Sequence, residues 1–179
     1  MERVTSSRRI YDGRVINLRI DTVVLRDGSK TQREIVEHPG AVAIVPQLDK
    51  GDVVLVRQFR KSVEDELFEI PAGTLKKDEA PRACARRELL EETGYRARRL
   101  VRLASFYLAP GYSTELLHAY LAFGLTPGVG SPEADESIDV IKIPFEDALK
   151  WIDRGKIKDA KSISALLLTS RILTRDLQS

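Results

Sequence analysis

The stretch GTLKKDEAPRACARRELLEETGY, residues 73–95, carries the strongest local signal in the sequence. Pro71-Ala72-Gly73 interrupts a β-like pattern, and a helical pattern follows over roughly residues 79–93. Asp78 is a candidate N-cap, Pro81 is tolerated in a first turn, and Gly94 suits the position after a helix end. The stretch therefore predicts a loop, a helix and a second loop.

Three glutamates of this helix, Glu88, Glu91 and Glu92, lie at i, i+3 and i+4. At this spacing they fall within about 100° of one another, so their carboxylates converge and repel. They also lie near the C-terminal end of the helix, where the helix dipole disfavours anions. A bound cation would relieve both penalties, and oxygen ligands favour Mg²⁺ or Mn²⁺. A solvated acidic face is the alternative that spacing alone leaves open.

The whole stretch resembles the Nudix box, G-x5-E-x7-R-E-U-x-E-E-x-G-U, where U is a bulky apolar residue. The matching positions are Gly73, Glu79, Arg87, Glu88, Leu89, Glu91, Glu92 and Gly94. Tyr95 departs mildly, because an aromatic residue stands at the last U position. The resemblance implies a Nudix hydrolase, which uses divalent cations to cleave a nucleoside diphosphate linked to another group.

The resemblance also implies roles for individual residues. Glu88 and Glu92 would be the main metal ligands, completed by the backbone carbonyl of Ala72. Glu91 would be a further ligand or would orient the attacking water. Arg87 would orient a carboxylate through a charge-assisted hydrogen bond. Glu79 has either a direct role or only a favourable position at the start of the helix.

Other stretches resemble the ADP-ribose pyrophosphatase branch of the family. Pro110 stands sixteen residues after Gly94, at the place where that branch carries a proline. The further similar segments are REIVEHPGAVAIVP (33–46), VRQFRK (56–61), FEIPAGT (68–74) and DAKSISALL (159–167). This likeness implies hydrolysis of ADP-ribose to AMP and ribose 5-phosphate. GDP-mannose, as another nucleoside diphosphate sugar, and a non-catalytic sensor of ADP-ribose or NAD-like ligands are the alternatives.

Substrate contacts are expected from residues outside the box. Arginine forks suit phosphate and ribose oxygens, which makes Arg33, Arg57 and Arg60 candidates, with strand-edge surface charges as the alternative. Pro110 and Glu115 are candidates on the following segment. Arg14, Val15 and Ile16 occupy the places of the family's aromatic stackers, so Tyr11 or Tyr107 is expected to contact adenine instead.

The general base is expected on the long acidic loop TPGVGSPEADES, residues 126–137. A loop of this length in a compact domain is often functional, with a solvated flexible loop as the alternative. The resemblance favours Glu136 as the catalytic base and Glu133 as the second choice. Asp135 is the third carboxylate of this loop.

The chain as a whole predicts an α+β Nudix fold, an α/β/α sandwich with a mixed sheet. Antiparallel strands are expected at 14–25 and 31–38 around the turn Asp27-Gly28, and a hairpin at Asp49-Lys50-Gly51 is expected to join strands 41–48 and 52–59. Residues 1–39 are expected to form dimerisation strands, and residues 40–179 the Nudix domain.

Composition excludes several other classes of protein. The net charge of +2 is too small to indicate nucleic-acid or membrane binding, and no apolar run reaches the ~18 residues of a membrane span. Cys84, the single cysteine, excludes an internal disulfide. These features predict a cytoplasmic protein whose ligand is a small molecule. The homodimer is implied by the resemblance of the segment before Gly40 to the family's dimerising strands.

Overall fold

The chain forms two units in the computed structural model, which describes residues 1–130 and 137–176. The first unit comprises Met1–Gly40 and Phe106–Leu116, and the second comprises Ala41–Ser105 and Leu117–Ser179. The predicted N-terminal segment, residues 1–39, lies within the first unit. That the segment carrying Pro110 belongs to the same unit was not predicted from the sequence.

The first unit is built on a three-stranded antiparallel sheet in the order β1-β2-β3. Its strands are β1 (Arg3–Asp12), β2 (Asn17–Val24) and β3 (Lys30–Glu37). The predicted turn between β2 and β3 is confirmed: Gly28 has a φ of +85°, a conformation that glycine adopts without strain. Strand β1 was not predicted, because every residue in it is exposed and it shows no apolar alternation.

The segment around Pro110 is hydrogen-bonded to β3. The Val36 amide donates to the Tyr112 carbonyl at 2.8 Å, and the Thr114 amide donates to the Val36 carbonyl at 3.0 Å. The Thr114 hydroxyl also accepts from the His38 amide at 3.0 Å. Backbone pairing with β3 therefore sets the position of this segment within the first unit.

The second unit contains a four-stranded and a three-stranded sheet, in the orders β7-β4-β9-β8 and β10-β5-β6. Strands β4 and β9 are parallel, and the other registered pairs are antiparallel, so the fold is α+β with a mixed sheet, as predicted. The strands are β4 (Ala41–Pro46), β5 (Asp52–Arg60), β6 (Asp65–Glu69), β7 (Ala72–Thr74), β8 (Tyr95–Tyr107), β9 (Leu116–Pro127) and β10 (Ile138–Pro144).

The predicted turn between β4 and β5 is confirmed, but beyond it the two strands do not pair as a hairpin. Gly51 turns the chain with a φ of +83°, and a bridge joins Gln47 to Val53. Beyond that bridge the strands enter different sheets, each in a central position. Strand β4 is buried throughout and β5 is buried over Val53–Val56, so each satisfies its backbone with two other neighbours.

Three helices complete the second unit: α1 (Pro81–Thr93), α2 (Phe145–Asp153) and α3 (Ala160–Asp176). Helix α1 begins later than predicted, and Ala80 rather than Asp78 stands at its N-cap. Asp78 has a φ of +62° and lies in the preceding turn, so that prediction was wrong. The C-terminal prediction is confirmed, because Gly94 adopts the left-handed conformation and its amide donates to Leu90.

The buried side of α1 joins the core of the second unit. Cys84, Ala85 and Leu89 pack with Val42 and Ile44 of β4. The small Cys84 side chain is fully buried and serves as a packing residue, and burial raises the pKa of its thiol to about 12. No helix in the described ranges is long and apolar enough to cross a membrane.

Candidate active site

The carboxylate of Glu88 lies directly against the backbone of Gly73. A Cβ atom at Gly73 would stand 2.0 Å from Cδ and 2.1 Å from Oε1 of Glu88, closer than any real contact allows. The glycine is therefore needed for space, since only a residue without a side chain lets this carboxylate approach the strand. Because Gly73 belongs to β7 and Glu88 to α1, this contact brings the first loop and the helix of the box together.

Glu92 reaches the neighbouring residue of the same strand. The Ala72 amide donates to Oε2 of Glu92 at 3.2 Å, and the glutamate is only 7% exposed. A carboxylate held at such low exposure is stable as an anion only with hydrogen bonds and compensating positive charge. Glu88 and Glu92 thus converge on two consecutive residues of β7, Gly73 and Ala72.

Arg87 lies at the centre of the remaining carboxylates. Its Nη1 donates to Oε1 of Glu88 at 2.6 Å and to Oε2 of Glu91 at 2.8 Å. Its Nε and Nη2 donate to the two oxygens of Glu79 at 2.8 and 2.9 Å. The guanidinium therefore holds three carboxylates in fixed positions, which supports the expected orienting role of Arg87.

Glu79 is hydrogen-bonded both to helix α1 and to the loop before it. It precedes α1 rather than lying in its first turn, and its Oε2 also accepts from the Lys76 amide at 3.0 Å. The hydrogen bonds from Arg87 hold the pKa of Glu79 down, at about 2. Glu79 therefore ties the loop before α1 to the helix through Arg87, and it does so as an anion.

The donor set of this cluster suits a hard divalent cation. Carboxylate and carbonyl oxygens are the ligands of Mg²⁺ and Mn²⁺, and the Gly73 contact leaves room for a carboxylate beside backbone oxygens. Within residues 1–130 and 137–176, however, no three His, Cys, Asp or Glu side chains are gathered as a complete ligand set.

The predicted phosphate-binding arginines of the second unit are both paired with carboxylates. Arg60 forms two parallel hydrogen bonds of 2.8 Å with Glu69, which is 1% exposed. Arg57 donates to Asp139 at 2.5 Å and lies 3.7 Å from Glu66. Arg60 is the stronger candidate of the two, because Glu69 presents its guanidinium in one fixed orientation.

The other predicted substrate residues lie in the first unit. Arg33 pairs with Glu2 at 2.6 Å on an exposed part of the sheet. Tyr11 on β1 is 57% exposed, and Tyr107, its alternative, is 58% exposed. Pro110 is exposed and Glu115 is partly buried on the segment that pairs with β3.

The predicted general base lies outside the described residues. Glu133, Asp135 and Glu136 all fall within 131–136. The strand that follows this loop, β10, begins at Ile138 and pairs with β5.

The sequence did not identify a network at the start of α3. Lys161 donates at 2.6 Å to Oε2 of Glu69, the same oxygen that accepts from Nη2 of Arg60, and also bonds Asp159 at 2.9 Å. Burial opposes ionisation of Glu69, but hydrogen bonds from Arg60 and Lys161 outweigh it, so the pKa of Glu69 lies below its usual value. Glu69 belongs to FEIPAGT and Lys161 to DAKSISALL, two similar segments that the sequence left unconnected.

Replacing Arg87 with methionine is expected to destabilise the protein by about 2–4 kcal/mol. The change leaves three mostly buried carboxylates without their common cation, which is the costly way to break such a cluster. Urea denaturation in the presence of a chelator measures the loss without interference from bound metal.

Arg86→Met is the matched control on the same helix. Arg86 is exposed and, among the described residues, donates to the Ala97 carbonyl at 2.9 Å. We expect it to cost about 1 kcal/mol or less. Equal losses in the two variants would contradict the central position assigned to Arg87.

The chain is similar to known proteins over most of its length. The NUDIX domain family matches residues 37–166. An ADP-ribose pyrophosphatase of Bacillus subtilis (strain 168) is 41% identical over 167 residues, which cover 92% of this chain and 90% of that protein. A GDP-mannose pyrophosphatase of Escherichia coli O139:H28 is 35% identical over 162 residues, covering 83% and 84%.

A solved structure is similar over almost the whole chain. It is described as an ADP compounds hydrolase and has a TM-score of 0.87, covering 98% of this chain and 95% of that one. Its sequence identity is 22%, so it supports the fold alone.

Proposed function

Because this chain belongs to the Nudix hydrolase family, we propose that it hydrolyses the pyrophosphate bond of ADP-ribose, giving AMP and ribose 5-phosphate. One observation carries the reaction class: Glu88 and Glu92 converge on the backbone of Gly73 and Ala72. The substrate is supported by the similarity to the Bacillus subtilis ADP-ribose pyrophosphatase over 92% of the chain.

Glu88, Glu92 and the Ala72 carbonyl are the groups that we propose to hold the divalent cation, with Mg²⁺ favoured and Mn²⁺ as the alternative. When bound, such an ion neutralises phosphate oxygens and lowers the pKa of a bound water. Mg²⁺ in proteins is often held by only one or two carboxylates, with water and substrate phosphates as further ligands. A complete protein ligand set is therefore not required before substrate binds.

The side chains around the proposed metal site have separate roles in the hydrolysis. Arg87 keeps Glu79, Glu88 and Glu91 in place, and Glu91 orients the attacking water. Arg60, held by Glu69, contacts a phosphate oxygen of the substrate, with Arg57 and Arg33 as further contacts. The water oxygen bonds to phosphorus, the bridging P–O bond breaks, and a carboxylate accepts the proton of the water.

Glu136 is the proposed proton acceptor, and Glu133 is the second choice. The assignment rests on the resemblance, since both residues lie outside the described part of the chain. Glu136→Gln is expected to lower kcat more than Glu133→Gln does. The reverse order would transfer the role to Glu133.

A substrate panel with purified protein and Mg²⁺ tests the proposed function. ADP-ribose, GDP-mannose, NADH, diadenosine polyphosphates and 8-oxo-dGTP are compared by kcat/KM. We expect ADP-ribose to be preferred and AMP to be released. Preference for GDP-mannose would favour the second candidate, which the similarity to the Escherichia coli protein supports. A protein that binds ADP-ribose but cleaves none of the panel would be a sensor.

We also propose a cytoplasmic homodimer formed through the first unit. Support comes from large apolar side chains exposed there, which include Val4, Ile10 and Tyr11 on β1 and Val15 and Ile16 between β1 and β2. Exposed apolar side chains in such numbers are typical of an interaction surface. Light scattering that gives the mass of a single chain would contradict the homodimer.

A further inference from the structure

We propose that the start of helix α3 positions the metal-binding strand, and that Ser162 is the positioning residue. The residues that act together there, Asp159, Lys161 and Ser162, are called the α3 clamp. The inference rests on the proposed function, because it assigns Ala72 and Gly73 to the metal site. It adds a group from the C-terminal part of the chain that does not itself touch the site.

The first contact of the α3 clamp is with the backbone of Ile70. The Ile70 amide donates to Oγ of Ser162 at 2.9 Å, and Ile70 and Ser162 are both fully buried. Ile70 follows the last residue of β6, and Pro71 after it has no amide hydrogen. Ile70 therefore supplies the last backbone donor before the metal-binding strand, and Ser162 is its acceptor.

Asp159 fixes the Ser162 hydroxyl in the accepting orientation. Ser162 donates its hydroxyl hydrogen to Oδ2 of Asp159 at 2.6 Å, and its amide donates to the same oxygen at 2.9 Å. A serine hydroxyl has one hydrogen, so this bond leaves the oxygen lone pairs for Ile70. Asp159 thus caps α3 and orients Ser162 at once.

Lys161 holds the residue that precedes Ile70. Its Nζ donates to Oε2 of Glu69 at 2.6 Å and bonds Oδ1 of Asp159 at 2.9 Å. Two consecutive residues of the chain, Glu69 and Ile70, are therefore bound by two consecutive residues of α3. One contact would hold α3 against this segment at a single point. Two adjacent contacts fix both the position and the direction of the segment Glu69-Ile70.

The residues between Ile70 and the proposed metal site are also held by hydrogen bonds. The Ile44 amide donates to the Pro71 carbonyl at 2.8 Å, and the Ala72 amide then donates to Glu92. Only Pro71, whose φ is fixed by its ring, separates Ile70 from Ala72. A shift at Ile70 therefore moves the Ala72 carbonyl and the Gly73 surface against which Glu88 lies.

The test is direct binding of Mn²⁺ to the substrate-free protein, followed by electron paramagnetic resonance, in Ser162→Ala. Loss of a group that bonds a metal ligand directly weakens metal binding by about 10–100-fold, and for Ser162, which acts one step further out, we expect the lower end, about tenfold. Ser170→Ala is the matched control, because Ser170 lies on the same helix and donates only to the nearby Leu167 carbonyl in the described contacts. We expect its Mn²⁺ affinity to equal that of the wild type.

A purely structural role for Ser162 gives a different result. Ser162→Ala would then lower the melting temperature but bind Mn²⁺ with wild-type affinity, and this would overturn the proposal. If Ser162→Ala does not fold, Lys161→Met carries the same expectation through Glu69, and unchanged Mn²⁺ affinity in that variant would equally overturn it. Wild-type protein that binds Mn²⁺ but cleaves no ADP-ribose would refute the proposed function and leave the α3 clamp standing.

Discussion

Glu92→Gln is expected to lower ADP-ribose hydrolysis by roughly 10²–10³-fold while the protein remains folded. Glutamine keeps the shape of the side chain and an oxygen that can accept from the Ala72 amide. It removes the negative charge that binds the cation, and cation binding supplies several kcal/mol of transition-state stabilisation. Steady-state kinetics at saturating Mg²⁺, with circular dichroism of the same sample, measure both parts of the expectation.

The control for this variant is Glu146→Gln. Glu146 is an exposed glutamate in the first turn of α2, so its replacement changes the net charge equally but leaves the site untouched. We expect wild-type kcat and KM for it. A Glu92→Gln enzyme that retains wild-type rates would show that Glu92 is not a metal ligand.

Gly73→Ala is expected to lower hydrolysis by roughly 100-fold with little loss of stability. The new Cβ atom would lie 2.0 Å from Cδ of Glu88, so the carboxylate must leave the strand. The displaced group is the end of a flexible side chain rather than backbone, so the fold can adjust at small cost. Alanine also restricts the unfolded chain, which offsets part of that cost. Thermal denaturation and kcat/KM together separate the two effects.

A double-mutant cycle with Glu88→Ala decides whether Gly73 acts through Glu88. In the Glu88→Ala background the contact is absent, so adding Gly73→Ala is expected to change kcat/KM by less than about twofold. Independent, additive losses in the double variant would mean that Gly73 serves the site in another way, such as backbone geometry.

Local sequence determined the α1 region well. The break at Pro71-Ala72-Gly73, with Gly94 after the end, predicted the helix to within two residues of its N-terminal boundary and to the residue at its C-terminal one. The glutamate spacing predicted convergence because that geometry is internal to a helix. The Asp78 prediction failed because a cap depends on where the preceding loop turns, and Asp78 itself is in that turn.

The positions of β4 and β5 could be predicted from the sequence, but their pairing partners could not. Residues 41–48 and 52–59 carry the apolar runs of central strands, and the turn between them is correct. Their separation into two sheets depends on β7, β9, β6 and β10, which come later in the chain. A hairpin signal is local, whereas the choice of a pairing partner is a competition among distant segments.

The sequence by itself determined the helix, the convergence of its carboxylates and, through the box, the class of reaction. Only the tertiary structure decided how those carboxylates are held, because their partners are distant along the chain. Gly73 makes room for Glu88, Ala72 binds Glu92, and Ser162 holds Ile70 from 92 residues further on. Side-chain spacing within a helix is fixed by 3.6 residues per turn, but contacts between elements are fixed only when the whole core packs.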